Sequence, residues 1–256
     1  MLKKGLSSYQ LKIIAIVFMV IDHINTYFGA SLGWPLWVSW LGRFVAPLFV
    51  FLLIEGFFYT HSRKKYLRRL SLGAGIMLLG NSLINFLADN YTDHFTGGFS
   101  VLQLIGPNNI FLTLALLFAL IWAVDLSREN GKYLVVAGFL LLPILFSEGG
   151  LYLLPISLIF YFSHLKQNSK ILYLGVFAIC FVLFAWSIVI FWQMNTGESL
   201  YQYLTFDNEF MMVTVLPLIY LYNGKRGGYQ TKTSKYFFYV FYPLHLWVIY
   251  LVNMFI

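Results

Sequence analysis

The chain has 256 residues, 60% hydrophobic and 11% charged, with a mean hydropathy of +0.75. Soluble domains carry about 25% charged residues, so this composition excludes a soluble globular fold and specifies an integral membrane protein. The net charge of +7 would point to nucleic acid in a soluble chain. In a membrane chain the positive-inside rule explains it first, and no nucleic-acid partner is expected. A single cysteine, Cys180, excludes an intrachain disulfide and a zinc cluster, so no metal is expected.

Apolar runs predict helices near 9–28, 36–60, 66–88, 108–126, 133–147, 151–165, 170–193, 209–222 and 235–255. The first run is long enough to span, and no small-residue cleavage site follows it, so it reads as a span and not as a signal peptide. The runs at 133–147, 151–165 and 209–222 are short, and the first two form either two spans or one re-entrant hairpin. The fold class expected is an all-α polytopic bundle of about nine transmembrane helices. It forms a single domain over 1–256, with no internal repeat and no soluble domain.

The loops sort by charge. Lys3, Lys4 and Lys12 lie at the start, and Arg63, Lys64, Lys65, Arg68 and Arg69 follow the second run. Arg128 and Lys132 follow the fourth, Lys166 and Lys170 the sixth, and Lys225, Arg226, Lys232 and Lys235 precede the ninth. These are 16 of the 17 Lys and Arg residues, and all fall on one side if the spans alternate. The other side collects Asp89, Asp93, Glu148, Glu198, Asp207 and Glu209. The basic side is cytoplasmic, which puts the N-terminus inside and the C-terminus outside a plasma (inner) membrane.

Within the first run, Asp22 and His23 break an otherwise apolar stretch. A charge at the bilayer centre costs a few kcal/mol or more, so an ionisable pair there is a functional-site candidate. Imidazole supplies a general base near neutral pH, and Asp22 would orient its ring or hold a substrate amine. Adjacent helical residues point about 100° apart, so His23 shares its face with Tyr27, and Asp22 with Asn25 and Thr26. The alternative is a polar pair that locks helices together.

The second run holds the one basic residue on the acidic side, Arg43, at the depth of Asp22 and His23. Arg43 either pairs with Asp22 or polarises a carbonyl. Pro47 should kink this helix and free a carbonyl near Arg43. Glu55 lies about 18 Å further along the axis, too far to reach Arg43 on an intact helix, and should order the basic loop beyond it. That loop, HSRKKYLRR at 61–69, either fixes topology on anionic lipid headgroups or binds phosphate, for which arginine forks are suited. LYNGKRG at 221–227 adds Lys225 and Arg226 to the same side, with an Asn-Gly turn signal and no Walker or dinucleotide spacing.

Further on, PNNIFLTL at 107–114 opens the fourth helix. Pro107 and Asn108 suit a helix start, and Asn109 either belongs to that start or donates to an oxyanion. Glu148 in Glu148-Gly149-Gly150 reads as solvated. In FYPLHL at 241–246, Pro243 should break the last helix and expose carbonyls that His245 satisfies.

The segments KIIAIVFMVIDH, GRFVAPLFVFLLIEG, PNNIFLTL, LYNGKRG and KYFFYVFYPLHL, in that order, resemble the TraX family, named for the acetylase of conjugative pilin. The resemblance covers nearly the whole chain and implies transfer of acetyl from acetyl-CoA to an N-terminal amine beyond the membrane. The chain also looks like a relative of the wider transmembrane acyltransferases, some of which act on sugars. In the sugar group a basic residue precedes a first-helix histidine with ten residues between, as Lys12 precedes His23 here. That likeness implies His23 as the catalytic histidine and Lys12 near the cofactor's phosphates. The reading of the residues adds Asp22, Arg43 and Asn109 as candidate helpers and Arg63, Lys64, Arg69, Lys225 and Arg226 as candidate phosphate ligands, and leaves Glu55, His245 and Tyr27 as substrate-binding or structural residues. The partners implied are acetyl-CoA, a peptide, protein or glycan acceptor, and membrane lipids. The competing classes are a proton-coupled transporter or flippase and a non-catalytic subunit of a peptide-secretion system.

Overall fold

The computed structural model describes residues 5–93, 96–106, 108–194, 197–228 and 232–255. In chain order the helices are α1 (Ser8–Phe28), a 3₁₀ segment (Leu36–Gly42), α2 (Val45–Tyr59), α3 (Arg63–Leu87), α4 (Val101–Ile105), α5 (Ile110–Ser127) and α6 (Tyr133–Leu145). There follow α7 (Gly150–Leu165), α8 (Ser169–Met194), α9 (Leu200–Phe206), a second 3₁₀ segment (Glu209–Thr214), α10 (Val215–Leu221) and α11 (Lys232–Phe255). Among the described residues there is no strand, only the isolated bridges Leu6–Tyr222 and Thr92–Phe99.

Among the described residues, six stretches are long and apolar enough to cross a membrane, and a seventh if α9 to α10, bent by 65°, is one span. Helices α6 and α7, with 13 and 16 residues, fall short of the roughly 20 that a perpendicular span needs. The longest stretch, α8, is apolar all round and only 17% of its span window is buried by protein. Its outward Phe181, Trp186 and Trp192 suit a lipid surface.

The chain divides into two compact units, each made of two stretches: 1–52 with 156–234, and 53–155 with 235–256. In the first unit, α1 opens with a reciprocal cap. The Ser7 hydroxyl accepts from the Gln10 N–H, and the Gln10 amide oxygen accepts from the Ser7 N–H at 2.9 Å. Its buried residues, Leu11, Ala15, Ile16 and Met19, recur at helical spacing, and the helix packs on the first 3₁₀ segment. The second 3₁₀ segment packs on α8. In the second unit α3 packs on α5, and α5 on α6. Phe57 and Tyr66 meet Phe118 with ring centroids 5.4 and 4.8 Å apart. Lipid is as apolar as leucine, so close packing and hydrogen bonds hold such helices together more than the hydrophobic effect does.

Several expectations change. The run at 36–60 is a 3₁₀ turn followed by an α-helix, broken at Arg43–Phe44 and not at Pro47. Pro47 sits in the first turn of α2, where no intrahelical donor is lost. The run at 209–222 is the second arm of a bent element whose first arm is α9, and α9 and α4 lie outside the predicted helices. Helix α11 continues through Pro243 instead of breaking there. The Pro107 helix-start reading and the positions of Lys3 and Lys4 lie outside the described residues.

Candidate functional site

Three elements of the first unit meet around Arg43. Gly29 ends α1, with its N–H bonded to the Asn25 carbonyl, and Pro35 leads into the 3₁₀ segment that returns past the end of α1. Gly42 then lies directly against Asp22: a Cβ there would collide with the Asp22 carboxylate. Only glycine allows the next residue, Arg43, to reach that carboxylate. Arg43 Nη2 donates to both Asp22 oxygens, at 3.0 and 3.2 Å, and Nη1 donates to Glu209 Oε1 at 3.2 Å.

The side chains of Arg43, Asp22 and Glu209 retain 26%, 18% and 28% of their exposure. The cluster is partly desolvated, and its two carboxylates outnumber its one guanidinium. Arg43 Nε–H is buried and has no acceptor among the described residues. The carboxylates hold the guanidinium through both Nη atoms, while Nε–H and the second hydrogen of Nη1 are not used by them.

Glu209 arrives through the bent element. Ser39 Oγ donates to the Thr205 carbonyl at 2.9 Å, and Trp40 Nε1 to the Leu204 carbonyl at 3.1 Å. These bonds satisfy carbonyls at the end of α9 and tie it to the first 3₁₀ segment. Asp207, at the bend, accepts from Ser187 at 2.7 Å. Nothing in the sequence pairs Glu209 with Arg43, 166 residues away. Its one signal was an acid opening an apolar run.

His23 is partly buried one residue beyond Asp22, and Tyr27 is partly buried one turn further on. At the other end of α1, the 221–228 loop folds back onto the helix start. Ser8 and Tyr9 N–H groups donate to the Lys225 and Arg226 carbonyls at 2.9 and 3.0 Å. Gly227, at φ +63°, sits so close to Ser7 that any side chain there would clash. Lys12 lies within Coulombic range of Arg226. The first-turn donors of α1 are therefore already used, and an anion at this end would meet the side chains of Lys12, Lys225 and Arg226.

The remaining candidates belong to the second unit. Asn109 caps α5, its Oδ1 accepting from Leu112 N–H at 3.1 Å and its Nδ2 donating to the Ala74 carbonyl at 3.0 Å. Arg63 donates to Asp125 at 2.7 Å, and its guanidinium stacks 3.9 Å from the Phe57 centroid. Lys64 is exposed, and Glu55 is partly buried on α2. His245 Nδ1 bonds the Phe241 carbonyl one turn back, at 2.9 Å.

Glu148, expected in solvent, is instead partly buried. Tyr242 donates its hydroxyl to Glu148 Oε2 at 3.4 Å, and the Asn109 N–H also donates to the carboxylate. Burial pushes its carboxyl up to about 7, against the pull of those two donors. A turn of Glu-Gly-Gly gives no sign that Tyr242 will cover it.

Fold and site together define a multi-pass helical membrane protein with an ion cluster held at one end of its first helix. The TraX protein family profile matches residues 7–253, and the chain belongs to that family. It is also similar to a probable fimbrial assembly protein, FimC of serogroup H1, from Dichelobacter nodosus. The two are 29% identical over 256 residues, which cover 98% of this chain and 97% of the relative. No solved structure matches it.

Proposed function

We propose that the chain is a membrane-embedded acetyltransferase. It carries acetyl from cytoplasmic acetyl-CoA to an acceptor on the far side of the plasma membrane, namely the N-terminal amine of a pilin-like protein. The TraX membership and the fimbrial-assembly relative support this reading. The observation that carries it is the Asp22–Arg43–Glu209 cluster, with its unaccepted Arg43 Nε–H and with His23 next along α1. The proposed topology has about nine spans, the N-terminus inside and the C-terminus outside, as the lysine and arginine bias requires.

In this scheme the acceptor nitrogen attacks the thioester carbonyl carbon. The new C–N bond forms, the C–S bond breaks, and His23 takes the proton that the nitrogen loses. The CoA thiolate leaves and is protonated. Arg43 donates to the carbonyl oxygen as it becomes an oxyanion, while Asp22 and Glu209 fix the guanidinium plane. An α-amine has a reference pKa of about 7.7–8.0, so a histidine base is matched to it. Lys12, Lys225 and Arg226 bind the phosphates of CoA at the start of α1. From Lys12 to His23 is about 16 Å of helix, comparable to the reach of a pantetheine arm.

The test is transfer of labelled acetyl from acetyl-CoA to a pilin N-terminal peptide by the purified protein. His23→Ala should lower turnover by at least about a hundredfold, the usual scale of general-base catalysis. Neutralising Lys12, Lys225 and Arg226 should raise the KM for acetyl-CoA and spare that for the acceptor. Full turnover by His23→Ala, or proton flux without acceptor acetylation, refutes the reading.

A further inference from the structure

In the second unit, Arg69 presents a different kind of problem from Arg63. Arg63 is paired with Asp125 at 2.7 Å, a carboxylate that Arg128 also approaches at 3.6 Å. Arg69, about 9 Å further along α3 at 1.5 Å per residue, has no carboxylate within ion-pair distance among the described residues. Its guanidinium lies 5.3 Å from the Tyr66 ring centroid and donates to the Tyr239 hydroxyl. Tyr239 is held in turn by stacking on Phe111, with centroids 5.5 Å apart and planes 4° from parallel. Tyr66 is held against Gly56, where a Cβ would press into its ring. Arg69 Nε–H is buried and has no acceptor among the described residues.

Arg69 is partly buried, and a guanidinium partly withdrawn from water gains from an anion beside it. An aromatic face and a neutral hydroxyl compensate only in part. The rigid tyrosine frame fixes the fork without supplying an anion, which leaves a geometry suited to phosphate oxygens. Lys65 and Arg68, both exposed on the same segment, add positive potential around it. We propose that Arg69, framed by Tyr66 and Tyr239, is a binding site for a phosphate-type anion, either a soluble phosphate or a phospholipid headgroup. Arg63 has no part in it. This inference stands whether or not the chain transfers acetyl groups.

The experiment uses the full chain in maltoside detergent. Inorganic pyrophosphate is titrated by calorimetry, and dioleoyl-phosphatidylglycerol is titrated by native mass spectrometry. Wild type should bind one of the two saturably. Arg69→Gln should weaken that binding by about tenfold or more, the scale of one lost charge-assisted contact. Arg68→Gln and Arg63→Gln should change it by less than about threefold, as expected of screened or already paired charges. Binding of pyrophosphate alone assigns the site to a soluble phosphate; binding of the lipid alone assigns it to a headgroup. Where the glutamine variant does not fold, Arg69→Lys keeps the charge and removes Nε–H, and wild-type affinity in it overturns the proposal. So does the absence of saturable binding of either probe, or an Arg68→Gln loss equal to that of Arg69→Gln.

Discussion

Removing Arg43 should cost more than removing either of its partners, because the cluster is two carboxylates around one guanidinium. In Asp22→Asn, Arg43 keeps Glu209 at 3.2 Å, and in Glu209→Gln it keeps Asp22 at 3.0 Å. In Arg43→Gln both carboxylates are stranded in a partly desolvated site. Two unit charges about 4 Å apart attract by about 4 kcal/mol at an effective dielectric of 20. Residual exposure and the desolvation already incurred reduce this, so each single carboxylate change should cost about 1.5–3 kcal/mol, as for hydrogen bonds to charged groups. Arg43→Gln should approach the roughly 3–5 kcal/mol of a broken buried pair. The double variant Asp22→Asn/Arg43→Gln should cost less than the sum of its singles, with a coupling of at least about 1 kcal/mol. The assay is unfolding of the four proteins in one detergent, read as Tm and as urea midpoint, with acetyl transfer measured in parallel. The reasoning fails if Asp22→Asn destabilises as much as Arg43→Gln, or if the coupling is within about 0.5 kcal/mol of zero.

Gly42→Ala should push a methyl group into the Asp22 carboxylate and cost about 1–3 kcal/mol, the usual penalty of overpacking. A lowered Tm is expected, with loss of the proposed acetyl transfer, and an unchanged protein would mean that Asp22 is not held against Gly42. Glu148 should make stability depend on pH. Its folded-state carboxyl is raised from the ordinary 4.5 to about 7, so the folded protein binds its proton more tightly than the unfolded chain does. The associated stability is fully present below about pH 4.5 and is lost as pH rises to about 7. It amounts to about 3 kcal/mol at about 1.4 kcal/mol per pH unit of displacement. Glu148→Gln keeps an acceptor for Tyr242 and cannot ionise. The Tm difference, variant minus wild type, should therefore grow between pH 5 and pH 8, and a pH-independent difference would contradict the burial of Glu148.

Where local composition was decisive, the sequence was legible. The long apolar runs at 9–28, 108–126, 170–193 and 235–255 correspond closely to α1, α5, α8 and α11, because a helix in lipid must satisfy its own backbone and so follows hydropathy. The short helices α4 and α9 were unreadable, since five and seven residues carry too little periodicity to separate from a loop. Pro47 is the residue whose chemistry announces a kink in the second run, yet the helix type changes at Arg43–Phe44. Beside that point Gly42 lies against Asp22, a contact between positions 20 residues apart.

The sequence alone determined the class of molecule, because hydropathy and charge are summed over residues and need no neighbours. It also singled out Asp22, His23 and Arg43, because an ionisable residue in an apolar run is costly wherever the chain goes. Which charges meet was decided only by the tertiary structure. Pairing depends on distances of about 3 Å between residues far apart in the chain, and no local pattern encodes those. The fold added Glu209 to Arg43 and closed Arg63 onto Asp125. It covered Glu148 with Tyr242 and left the buried Nε–H groups of Arg43 and Arg69 without acceptors among the described residues.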